Sequence, residues 1–169
     1  MTAEDAMFNL DVLQKGFEKI YFNTKIYYTY RARPLSVMGT YNPHRFENEM
    51  HVLKKTEMLI KDFGADKSIE KYILKRYVEC FLQEYNNFTF SGCYLTVREA
   101  AMTAGEMFYT DEMKRASNAV APREIEHATA RICYRLSLKG RFRTAVVFKK
   151  IYIPLSFMLA RIKSDRRTK

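Results

Sequence analysis

Residues 43–85, PHRFENEMHVLKKTEMLIKDFGADKSIEKYILKRYVECFLQEY, decide the fold. Pro43 suits a first helical position, and Phe46, Met50, Leu53, Ile60 and Phe63 follow at the spacing of one helix face until Gly64 stops the run. A second helix starts at about Asp66, with Ile69, Tyr72, Ile73, Cys80, Phe81 and Tyr85 on one side and alternating charges on the other. Two such helices joined by a short glycine turn must cover each other's apolar faces, which predicts an antiparallel helical hairpin.

Outward from this hairpin the pattern stays helical. Towards the C-terminus, Thr96 and Glu99 have the spacing of a capping box and open a short helix to about Phe108. Pro122 opens a helix to Lys139 with Ile125, Thr129, Ile132 and Leu136 inward, and Gly140 separates it from a last helix of about Phe142–Ile162. Towards the N-terminus, Met7, Phe8, Leu10, Val12 and Leu13 form an apolar stripe in a helix over 4–15, stopped by Gly16. Residues 19–30, rich in Ile, Tyr and Phe, read as a short hairpin or two strand fragments, and Pro34, Gly39 and Asn42-Pro43 then keep the chain in a loop. The expected fold is mainly α, a helical bundle of about five to six helices with a short N-terminal β-hairpin or strand remnant.

At 169 residues and 47% hydrophobic content the chain can bury one substantial core, so 1–169 reads as a single domain. Cys80, Cys93 and Cys133 are odd in number and far apart, which excludes a paired disulfide framework and a Cys-x-x-Cys metal clip and leaves reduced core thiols. Glu4 and Asp5 stand where a secretory signal would carry basic residues, which gives a cytoplasmic expectation.

Charge is distributed unevenly. Residues 131–169 hold twelve Lys/Arg and one acid, Asp165, for a net of +11, while the remainder holds seventeen basic and eighteen acidic residues. Such asymmetry calls for an anionic neighbour: lipid headgroups, nucleic acid or a sugar-phosphate polymer. The candidate contacts are Arg141, Arg143, Lys149, Lys150, Arg161, Lys163, Arg166 and Arg167. The last helix is apolar on most faces, but a lysine at the bilayer centre costs about 2.5–3.5 kcal/mol, and Lys149 and Lys150 fall midway along it, with Pro154 near its centre. An interfacial or core helix is expected instead of a spanning one. No zinc-finger, helix-turn-helix or aromatic RNA-platform signature is present, which disfavours nucleic acid.

Chemistry-bearing residues gather near the N-terminus. Glu4-Asp5 opens a helix, where the macrodipole favours an ionised carboxylate that can act as a general base or as a cap. Arg31 and Arg33, two apart on a strand end, point the same way and can either grip one diphosphate or lie solvated. In order and spacing, Glu4-Asp5-x-x-Phe8-Asn9 and Tyr28-x-Tyr30-Arg31-x-Arg33-x-x-Ser36 resemble the segment that closes the catalytic domain of family 2 glycosyltransferases, the inverting enzymes that build bacterial capsule and surface polysaccharide.

The resemblance is strongest over residues 4–42. It implies that Asp5 is the base that activates the acceptor, with Glu4 its neighbour. It implies too that Tyr30, Arg31, Arg33 and Ser36 form the donor-diphosphate or acceptor loop. Residues 1–42 would be the end of a GT-A-like catalytic domain and 43–169 a C-terminal helical region. Mn²⁺ or Mg²⁺ with a nucleotide sugar is implied only together with a donor-binding half, because the six aspartates contain no D-x-D and every glycine is isolated. The chain then reads as the acceptor-side part of such an enzyme, a truncated product or one half of a split enzyme, inactive alone. Its partner would be a donor-binding half or the full-length enzyme, in the cytoplasm or peripheral on the inner face of the membrane. The other reading is a non-enzymatic basic helical module that binds anionic membrane or nucleic acid. His44, Glu47 and His51 can share a helix face and Glu124-x-x-His127 has one half of a di-iron spacing, but the second half is missing and no metal is assigned.

Overall fold

The structure, a computed structural model, describes residues 4–16, 40–64 and 66–167. They form seven α-helices: α1 (Glu4–Gln14), α2 (Arg45–Asp62), α3 (Lys67–Asn87), α4 (Val97–Phe108), α5 (Asp111–Ala119), α6 (Ala128–Leu138) and α7 (Phe142–Arg167), with a 3₁₀ turn at Pro122–Glu124. The molecule is mainly helical, and among the described residues pairing of the β type is limited to an isolated bridge between Thr40 and Ser91. The β remnant expected over 19–30 lies outside the described residues.

Local chemistry sets the helix ends. The Asp66 carboxylate accepts from the amides of Ser68 and Ile69 at 2.7 and 3.3 Å, starting α3. At α4, Thr96 Oγ1 accepts from the Glu99 amide at 3.2 Å while Glu99 accepts from the Thr96 amide at 2.8 Å, the reciprocal pair expected of a capping box. Gly64 and Gly140 terminate α2 and α6 at φ +65° and +68°, where a side chain would be strained.

The α2–α3 hairpin is antiparallel. Asn42 and Arg45, at the start of α2, meet Asn87 and Glu84, at the end of α3, while Glu57 meets Tyr77. α3 is the central helix: its Ile73, Tyr77, Val78, Phe81, Leu82 and Tyr85 are buried among Phe46, Met50 and Leu53 of α2 and the inner residues of α4–α7. α4 presents Ala100, Ala104 and Gly105, and a methyl group added at Gly105 would lie 3.5 Å from the Phe142 ring, so small residues let α7 pack close. Cys133 is buried and Cys80 and Cys93 partly so, all three free thiols.

Several expectations need correction. Pro122 opens a 3₁₀ turn, and the helix proper begins six residues later, after His127. The apolar phase read from Ile125 therefore started outside the helix. Cys133, Tyr134 and Ser137 face inward, whereas Ile132 is 40% exposed. Phe63, Ile69 and Tyr72, assigned to apolar faces, are exposed at the hairpin's turn end, where no neighbour covers them. α5 was not anticipated, and α7 continues past Ile162 to Arg167.

Candidate functional site

Glu4 and Asp5 are the first two residues of α1, so the carboxylate pair stands at the amino end of a helix; their side chains are outside the described set. Tyr30, Arg31, Arg33 and Ser36 lie outside the described residues. α1 is tied to α2 by an ion pair between Asp11 and Lys55. Met7 and Leu10 are partly buried, whereas Phe8 is 67% exposed, and Val12 and Leu13 are exposed too. A helix that packs on α2 and still turns Phe8, Val12 and Leu13 outward has a face left for another surface.

A cleft of about 800 Å³ opens between the start of α2, the second half of α3 and the start of α6, and is also lined by Lys149 of α7. A buried polar network surrounds it. Asn87 accepts from the Asn42 amide at 3.0 Å and donates to the Asn42 carbonyl and to Glu84 Oε2, both at 2.8 Å. Glu84 is buried, and its Oε1 has no hydrogen-bond partner; Arg45 Nε, at 3.9 Å, is too far to donate. Burial pushes the Glu84 carboxyl up to about 7, against the Asn87 hydrogen bond and the Arg45 charge, which favour ionisation. Such a group can take or give a proton near neutrality. Lys149 is only 6% exposed and donates to Asn86 Oδ1 at 2.8 Å, and burial lowers its ammonium's pKa. The rest of the wall is polar and charged of both signs, with Arg45 and Arg76 facing Glu49, Glu79 and Glu126, and Phe90 adds an aromatic ring.

This network was missed in the sequence. The available signal was Glu84 itself, a carboxylate at the buried helical spacing of Phe81, Tyr85 and Phe88. His44 pairs with Glu47 at 3.2 Å on the surface, away from any buried ligand set, and no group of three His, Cys, Asp or Glu among the described residues is arranged to hold a metal.

The predicted C-terminal cations divide. Arg141, just ahead of α7, and Arg143, in its first turn, are exposed. Lys149 is buried and Lys150 reaches the Leu95 carbonyl at 3.4 Å, so this pair turns into the protein and away from any surface partner. Arg161, Lys163, Arg166 and Arg167 follow on the continuation of α7, with side chains outside the described set. No protein-family model, no curated protein and no solved structure matches this chain.

Proposed function

We propose that this chain is the acceptor-side part of a family 2-like inverting glycosyltransferase, acting with a donor-binding half that brings the nucleotide sugar and its Mn²⁺ or Mg²⁺. The observation that carries this reading is α1: Glu4-Asp5 opens a helix that is pinned to α2, while Phe8, Val12 and Leu13 are left uncovered as if for a second half. In this reading the Asp5 carboxylate accepts the acceptor hydroxyl's proton as its oxygen forms the bond to the anomeric carbon and the nucleoside diphosphate leaves from the opposite face. Arg31 and Arg33 neutralise the diphosphate through forked hydrogen bonds.

The test is reconstitution by co-expression with, or fusion to, a donor-binding half that carries a D-x-D site. Asp5→Asn should then lower sugar transfer by about 10²- to 10⁴-fold with an unchanged melting temperature, because the amide keeps the cap but cannot take the proton. Near-normal turnover, or loss only through unfolding, would reduce Asp5 to a helix cap. The purified chain alone should show no saturable binding of UDP-, GDP- or dTDP-sugars with Mn²⁺ tighter than about 10 μM in calorimetric titration.

A further inference from the structure

We infer that the α6–α7 face docks on the surface of an anionic lipid bilayer, with α7 lying in the interface. The inference goes beyond the transferase reading and does not depend on it. Burial changes abruptly along α7. Phe142, Ala145, Val146 and Lys149 are buried against the bundle, whereas Ile151 is 63% and Leu155 48% exposed with Ile153 still partly buried, so over 151–155 the cover by neighbouring helices thins. Arg143, Val147, Ile151 and Leu155 recur every four residues, and each is exposed. α6 packs along α7 and exposes Ile132 and Leu138 beside Arg135 and Lys139.

Apolar side chains interleaved with cations fit the boundary between headgroups and acyl chains. Charge selects among the occupants of such a face. A second copy would bring one +11 segment against another, and RNA would meet the cations while gaining nothing from Ile151, Leu155 and Leu138. An anionic bilayer satisfies both features. It would lie on this face without being crossed, since no helix among the described residues is long and apolar enough to span one. Among the described side chains the contacting cations are Arg135, Lys139, Arg141 and Arg143, and the Lys149-Lys150 pair serves the protein interior instead.

Co-sedimentation of the full chain with phosphatidylcholine vesicles, with and without phosphatidylglycerol, tests this. Binding should require the anionic lipid and fall as salt rises from about 0.1 M to about 1 M, where the screening length shrinks from about 10 to about 3 Å. The pair Arg141→Gln/Arg143→Gln should weaken binding about 25-fold at the lower salt, near fivefold per cation, and flatten the salt dependence. The pair Ile151→Ser/Leu155→Ser should weaken it about tenfold or more while preserving the salt dependence. All four positions are exposed, so both variants should melt like the parent. Equal binding to neutral vesicles, indifference to both pairs, tighter binding to an RNA oligonucleotide at the same salt, or a dimer that the Ile151/Leu155 pair dissolves would each overturn the inference. None of these readouts involves sugar transfer, so their failure leaves the transferase reading standing.

Discussion

Glu57 of α2 and Glu84 of α3 are both largely withdrawn from water, and their surroundings push them in opposite directions. Arg115 forks onto Glu57 at 2.7 and 2.6 Å, Lys61 approaches at 3.1 Å and the Tyr77 hydroxyl donates at 3.0 Å, which together hold its carboxyl down to about 2. A folded-state pKa below the ordinary 4.5 means the pairing stabilises fully above that value and is lost as pH falls towards 2. Glu57→Gln is expected to cost about 1–3 kcal/mol at neutral pH and to flatten the acid limb of a urea-unfolding pH series. Glu84 has the opposite sign. Its folded carboxyl keeps a proton that the unfolded chain has released, so stability falls as pH rises from 4.5 through about 7. Glu84→Gln should abolish that decline and leave the protein on the order of 1–3 kcal/mol more stable at pH 8 than the parent, read from the same denaturant curves. Glu84 was missed although its place among aromatics was a usable signal, whereas Arg115 stands 58 residues from Glu57, a pairing that no local spacing encodes.

Elements whose limits are written in adjacent residues were legible. Gly16, Gly64 and Gly140 follow the ends of their helices, and Thr96 with Glu99 fixed α4 to the residue. Thr96→Ala should accordingly cost about 1 kcal/mol, and Thr96→Ser much less, measured as shifts in thermal midpoint. α5 was not legible because it is nine residues long and buries only Met113 and Ala116, too little for an apolar period to register, although it delivers Arg115 to Glu57. α6 was misphased because Ile125 is buried from an extended segment ahead of the helix: burial and helical membership are separate properties, and a period carried across the break lands on the wrong face.

For the molecule as a whole, the start of α1 could be read from sequence, but the cleft could not, because its walls come from segments brought together only by packing around α3. The uncovered residues of α1 matter at this scale too. Phe8→Ser combined with Leu13→Ser should change the stability of the chain by no more than about 0.5 kcal/mol, yet weaken its association with a donor-binding half in a pull-down. α7 has a consequence of another kind, in the timing of proton exchange with solvent. Pro154 has no amide hydrogen to give the carbonyl four residues back, and it is exposed. Amides from Ala145 to Lys150 belong to the part of α7 packed in the bundle and exchange only when it opens, whereas the hydrogen bond missing at Pro154 lets the turns beyond it open by themselves. One unbroken helix should therefore carry two clocks, with a step in deuterium uptake between peptides on either side of Pro154.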